Sequence, residues 1–264
     1  AHHFTQLRTA MASLERLLEY LGLPQEASSS SSSSKPSANS PSTDLPEEGA
    51  WPQAGAIEFV DLQLRYRPEL PLALSGLSLR VEGGQRAGIV GRTGAGKSSL
   101  ILALLRLVEP SGGAVRIDGV DLSTLGLARL RKAVAVIPQD PTLHKGSVRH
   151  NLDPFAAHSE EALRTALERT ALPVSMLGAE VEKGGANLSS GERQLLCFAR
   201  ALLQHRSILV LDEATSNLDA ESDVRIQALL RREFAATTTL TIAHRLQTII
   251  DYDLVLVLAR GALV

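Results

Sequence analysis

The sequence predicts an α/β fold built around a largely parallel sheet. Two observations predict it. Short apolar runs alternate with helix-period segments along most of the chain, and a glycine-rich run lies between one such strand and the helix after it. A more alternating stretch ahead of that run adds an antiparallel β portion.

Taken in order, Phe4, Leu7, Met11, Leu14, Leu18 and Leu21 recur at three-four spacing, which places one apolar stripe on a helix within residues 1–24. Gly22 and Pro24 stop it. Residues 25–55 contain the unbroken run Ser28 to Ser34 and a Pro, Ser and acidic stretch, too poor in apolar side chains to offset the entropy of ordering; a disordered linker is expected. The folded domain is expected from residue 56 to 264. Ile57 to Val81 alternates as antiparallel strands do. Arg86 to Val90, Val134 to Ile137, Ile208 to Leu211, Thr238 to Ile242 and Leu254 to Leu258 are apolar enough for buried strands. Ser98 to Leu107, Glu160 to Thr170, Gly191 to Leu203 and Ala220 to Phe234 carry helical periodicity, and the helix-rich part, about 141–202, is expected as a helical insert.

With 44% apolar residues the chain can build an ordinary core. A net charge of −2 with scattered Lys and Arg gives no basic stripe, which argues against a nucleic-acid partner and against charge-driven membrane binding. Cys197, the one cysteine, sits in the apolar run Leu195 to Ala199 and is expected as a small buried side chain. No apolar stretch reaches the roughly 18–20 residues that span a bilayer. The chain opens at Ala1 without Met and ends on Leu263-Val264 just past an apolar run, and is expected to be a piece of a longer protein, truncated at its C-terminus.

Gly91-Arg92-Thr93-Gly94-Ala95-Gly96-Lys97-Ser98 fits G-x-x-x-x-G-K-S/T with a strand before it and a helix after it. Glycines let successive N–H groups turn toward a phosphate, and the helix start adds its positive dipole end. Lys97 is expected at the β- and γ-phosphates of ATP and Ser98 on Mg²⁺. The strand Ile208 to Leu211 runs into Asp212-Glu213. Two acids ending a buried strand are costly unless a cation is near, which gives Asp212 to Mg²⁺ and Glu213 to the attacking water.

Further segments are similar to those of the ABC (ATP-binding cassette) family. Leu188-Ser189-Ser190-Gly191-Glu192 resembles its signature sequence, with Ser190 and Glu192 in place of the usual Gly and Gln. Ile137-Pro138-Gln139 resembles the Q-loop, Ser216-Asn217-Leu218-Asp219 the D-loop and Ala243-His244-Arg245 the switch-histidine segment, in the family's order. Gly91 to Ser99, Asn151-Leu152-Asp153-Pro154 and Glu182 to Ser189 look most like the multidrug-resistance-associated, or C, subfamily, and within it the second of two cassettes. Met11 to Tyr20 resembles the helix leading from the last transmembrane span. The Ser run and His144-Lys145-Gly146 depart from the pattern.

The resemblance implies a P-loop NTPase (RecA-like) core with an antiparallel β subdomain and a helical ABC subdomain. It implies an ATPase driving export across a membrane, with this domain on the cytoplasmic face of a multi-pass parent protein. A second cassette, head-to-tail and in the same parent chain, and the transmembrane domains are its implied partners. By position, Tyr66 stacks on adenine, or is an ordinary edge-strand Tyr. Gly91, Arg92, Thr93, Gly94, Ala95, Gly96, Lys97, Ser98 and Ser99 hold ATP, while Gln139 serves Mg²⁺ or the water. Glu213 and His244 complete the catalytic set; Leu188, Ser189, Ser190, Gly191 and Glu192 meet the partner's ATP. Asp219 lies between cassettes, a role compatible with capping the helix after it. Two alternatives stay open: a nucleotide-gated regulatory module of a channel, and an ABC protein of the ribosome or DNA-repair type.

Overall fold

The computed structural model describes residues 2–22, 51–215, 218, 220–243 and 245–264. Two compact units divide at Ser40/Pro41. The first contains α1 (His2–Leu21), on which Met11, Leu14, Leu18 and Leu21 are exposed. No helix among the described residues is long and apolar enough to cross a membrane.

The second unit opens with β1 (Ile57–Leu64), β2 (Leu74–Val81) and β3 (Arg86–Gly91), followed by α2 (Lys97–Leu104). Next come β4 (Gly112–Ile117), β5 (Val120–Asp121), α3 (Leu127–Ala133), β6 (Val134–Ile137), β7 (Gly146–Ser147), α4 (Val148–Leu152) and α5 (Glu160–Arg169). Then β8 (Glu180–Val181), α6 (Ser190–Gln204), β9 (Ile208–Asp212), α7 (Ala220–Glu233), β10 (Thr238–Ile242), β11 (Leu254–Ala259) and β12 (Ala262–Leu263) complete it. The six-stranded sheet runs β12-β11-β3-β10-β9-β6, parallel throughout except the closing β11–β12 pair. An antiparallel sheet, β2-β1-β4-β5, covers α2.

Among the described residues, three apolar cores hold these layers. Phe59, Leu62, Leu77 and Ile117 of the antiparallel sheet meet Leu100 and Leu104 of α2 and Ile89 of β3. The second core lies between α6, α7 and the β6–β9 edge, and the third joins α4 and α5 to α6. α6 serves both: Cys197, Phe198 and Ala201 enter the second core, while Leu196, Ala199 and Leu203 enter the third. One helix with two buried faces thereby fixes the helical part to the sheet. Burial also raises the pKa of the Cys197 thiol, in keeping with an inert core cysteine.

The fold departs from expectation at several places, of which three shape the domain. Residues 51–55, expected in the linker, are folded onto the domain. Trp51 is buried with its Nε1 donating to Ile117 O at 3.0 Å, and the Asp118 carboxylate accepts the N–H groups of Gln53, Ala54, Gly55 and Ala56 at 2.7–3.1 Å. Helix α2 ends at Leu104 rather than Leu107, because Arg106 turns left-handed (φ 47°) and donates to Leu122 O and Leu125 O, both at 2.8 Å. β11 is open on one side: Val255 and Val257 are exposed while Leu256 and Leu258 are buried.

Candidate active site

The parallel strands β3, β10 and β9 end on one edge of the sheet, and the loops leaving them form the site. Ile89 is level with Ile242 and Ile242 with Asp212, so the glycine-rich loop, the segment after β10 and the acids after β9 emerge side by side. Backbone hydrogen bonds stitch these exits together: Ala243 N–H donates to Ile89 O and Glu213 N–H to Ile242 O, each at 3.1 Å. Glu213 takes a left-handed backbone (φ 50°), a strained conformation for a non-glycine residue.

The glycine-rich loop fits only because particular side chains are absent. A Cβ on Gly91 would lie 2.4 Å from Leu258 O, and one on Gly96 (φ 104°) would lie 2.8 Å from Ala73 O. Chain from both ends of the domain braces the loop: Gly261 N–H donates to Ala95 O at 3.0 Å, and Gly261 O accepts from Ser75 N–H at 2.9 Å. Inside the loop Lys97 is 7% exposed, its Nζ donating to Gly91 O at 2.8 Å and Arg92 O at 3.3 Å. An ammonium has three N–H bonds, so this anchoring leaves one to direct at a phosphate.

The cleft above the loop holds about 360 Å³ and is lined by Tyr66, Ala73, Thr93, Gly94, Gly96, Lys97, Ser98, Ser99 and Glu213. Its size suits a small ligand. Its donors are the loop, the Lys97 ammonium and the start of α2, a set suited to phosphate. Tyr66 is 50% exposed, and its hydroxyl is 2.9 Å from the Oγ of buried Ser99. Ser98 is exposed in the cleft, while Ser99, also on its lining, is buried and held against the Tyr66 hydroxyl. Asp212 is half-buried at the end of β9. Asp212, unlike Ser98, is not among the residues lining the cleft, though the next residue, Glu213, is; a hydroxyl and a carboxylate are oxygen donors of the kind a hard divalent cation takes beside phosphate oxygens.

Gln139 is exposed two residues past Ile137, whose β9 neighbour is Leu211, and it is not among the residues lining the cleft. His244 and Asp219 lie outside the described residues, as do Ser216 and Asn217 of the D-loop segment.

At the other end of the helical part, Ser189 is the N-cap of α6. Its N–H and its hydroxyl both donate to Glu192 Oε2 at 2.8 Å, and its Oγ accepts from Glu192 N–H at 3.2 Å. This is a reciprocal capping box, and Ser-x-x-Glu is its sequence signal. Leu188 packs on the third core, Ser190 is half-buried and Gly191 is buried, where a Cβ would lie 3.0 Å from Ser222 Oγ. Ala73, Gly261 and Asp118 brace the site and the domain, yet no motif marks them.

Residues 74–216, more than half of the chain, match the family described as ABC transporter. The chain belongs to that family. This cassette is 49% identical over 267 residues to ATP-binding cassette sub-family C member 10 of Mus musculus, covering 99% of the chain and 17% of that protein. It is 46% identical over 264 residues to ABC transporter C family member 13 of Oryza sativa subsp. indica, covering 98% of the chain and again 17% of the relative. Against ATP-binding cassette sub-family C member 2 of Rattus norvegicus the identity is 45%, over 98% of the chain and 16% of the relative. The cassette thus spans about a sixth of the length of these C-subfamily relatives. Among solved structures it matches a bacterial Atm1-family ABC exporter with ATP bound, with a TM-score of 0.73 and 34% identity over 80% of this chain and 38% of that one. The expected P-loop NTPase core with its antiparallel and helical parts is the fold of this ATP-binding cassette.

Proposed function

We propose that this cassette binds and hydrolyses ATP and that, within a longer chain, it powers export of a substrate across a membrane. The observation that carries the reading is the shared cleft: Glu213, from the end of β9, faces the same space as Lys97 and Ser98, from the loop after β3. The backbone of the glycine-rich loop, the Lys97 ammonium and the start of α2 hold the phosphates of ATP, and the Tyr66 ring meets adenine at the rim. Glu213 accepts the proton of the water that attacks the γ-phosphate. His244, next to the described Ala243, orients that water, and Gln139, exposed in this arrangement, reaches the site on closure. Ser98 and Asp212 would hold Mg²⁺, which would neutralise phosphate charge.

Ser189 and Gly191 meet the ATP bound by a second, head-to-tail cassette, and Asp219 sits between the two. Export is supported by the C-subfamily relatives and the exporter match; a multi-pass parent protein with this domain on the cytoplasmic face and a position as second cassette rest on the sequence resemblance.

The test is Mg²⁺-dependent ATP hydrolysis by the purified chain and its Glu213→Gln form across protein concentrations, alone and with a partner cassette. Turnover per molecule that rises with concentration in the wild type, with binding but no turnover in Glu213→Gln, supports the reading. Equal ATP binding with no turnover by either form, partner included, replaces it with a nucleotide-gated regulatory module.

A further inference from the structure

The segment after β10 is pinned on both sides of His244. On one side Ala243 N–H donates to Ile89 O at 3.1 Å, tying it to the strand that feeds the glycine-rich loop. On the other, Arg245 is held at both of its ends. Its carbonyl accepts from Thr248 Oγ1 at 2.7 Å and Thr248 N–H at 3.2 Å, while its guanidinium lies 3.6 Å from Asp223 Oδ2 on the first turns of α7.

The Asp223 carboxylate is mostly buried, 17% exposed against 44% for Arg245, and its Oδ1 is buried without a hydrogen-bond partner among the described residues. A carboxylate in that position holds to a cation that reaches it, because losing the partner leaves a desolvated charge. Arg245, Thr248 and Glu213 also line one small cavity behind the active site, with Gln227, Thr241 and Tyr252.

We propose that the Asp223–Arg245 ion pair is a positioning device for hydrolysis. It ties Arg245, the residue after His244, to α7, the helix that follows Asp219, beside the cavity that Glu213 and Arg245 both line. Neither residue lines the nucleotide cleft, so the pair acts on the geometry of the water-activating groups and not on ATP binding. The inference rests on the catalytic reading above. Small displacements of reacting groups carry large rate penalties, so turnover is where a loosened brace is felt.

The experiment compares wild type, Glu213→Gln, Asp223→Asn, Arg245→Ala, the double variant and the exchanged pair Asp223→Arg/Arg245→Asp, each with the partner cassette. Dissociation of a fluorescent ATP analogue and kcat are measured separately. Each single variant is expected to lose about tenfold or more in kcat with affinity changed less than about twofold. The double variant is expected to be no worse than either single one, and the exchanged pair to recover part of the loss. If a truncated variant fails to fold, Arg245→Lys and Asp223→Glu replace it, with a smaller kcat loss and unchanged affinity expected. An active wild type with unaltered kcat in the single variants, or losses that multiply in the double, overturns the inference alone. Equal turnover by wild type and Glu213→Gln overturns the catalytic reading and the inference with it.

Discussion

The hydroxyl of Tyr66 lies 2.9 Å from Ser99 Oγ, so an exposed ring at the mouth of the cleft is tied to a buried residue on the first turn of α2. The tie orients the ring without using its face. Tyr66→Ala is expected to weaken ATP binding by about tenfold, near the lower part of the 1–3 kcal/mol range for base–aromatic stacking. Tyr66→Phe keeps the ring and is expected to stay within about threefold of wild type. Titration with a fluorescent ATP analogue checks both, and equal losses in the two variants would remove the stacking role.

Two glycines of the same loop separate the penalty of crowding from that of backbone strain. Gly96 has φ 104°, and its Cβ would lie 2.8 Å from Ala73 O and 2.9 Å from Leu74 Cδ2. Gly94 has φ 80° with nothing within 4 Å. Gly94→Ala is expected to cost about 1–2 kcal/mol of stability through the left-handed backbone alone. Gly96→Ala adds a clash with backbone that cannot swing away, so it is expected to destabilise by about 2–4 kcal/mol and to abolish measurable ATP binding. Urea unfolding and nucleotide titration of both proteins test the ordering.

Asp118 anchors the entry to the domain. Its carboxylate receives the N–H groups of Gln53, Ala54, Gly55 and Ala56, and Trp51 is locked just upstream. Asp118→Ala leaves those donors to water or to nothing, and a loss of about 2–4 kcal/mol in unfolding free energy is expected. A chain starting at Ala56 is expected to lose at least as much, since the buried Trp51 ring goes too. Either variant unfolding at the wild-type urea midpoint would show the segment to be dispensable.

This anchor marks where the sequence stops being legible. The glycine-rich loop, the Asp212-Glu213 strand end and the Ser189 helix start could be read because each is a contiguous run whose chemistry requires neighbours in the chain. Residues 51–55 could not, because their hydrogen bonds go to a carboxylate more than sixty residues away, and Trp51-Pro52 in a Pro-, Ser- and acid-rich context has a linker's composition. The same holds for Ala73 and Gly261, which brace the glycine-rich loop from distant chain, and for Arg106, whose buried carbonyl partners override helical propensity and end α2 early. An apolar run cannot show whether both sides of a strand are covered, hence the open side of β11.

Glu192 departs from the usual signature residue, and the capping box explains why the fold accepts it. Ser189→Ala and Glu192→Ala each remove one half of the box at α6, with an expected loss of about 1 kcal/mol. Glu192→Gln retains a side-chain acceptor for the Ser189 N–H and is expected to be within about 0.5 kcal/mol of wild type. Because α6 joins two cores, these losses are expected in the single cooperative unfolding transition and not in local fraying. Thermal and urea unfolding measure them.

Asp153 gives the domain an acid-sensitive element. Burial works to raise the pKa of its carboxyl, but the backbone N–H groups of Ala157 and His158 and the His158 ring outweigh it, so the carboxyl titrates below its ordinary value. His158 N–H donates to Oδ2 at 2.7 Å, with the ring Nδ1 3.2 Å from the same oxygen. A folded pKa below the unfolded one means that the folded state favours the ionised form. Its contribution is therefore full above roughly pH 4, the unfolded range, and lost as pH falls through the lower folded value. Asp153→Asn cannot ionise and is expected to lower the urea midpoint by a constant amount from about pH 7 down to pH 5. Below about pH 4 the gap between the two proteins is expected to close as the wild-type carboxyl takes up its proton. A gap that stays constant to pH 3 would mean that the loop after α4 is held by neutral hydrogen bonds and not by the charge.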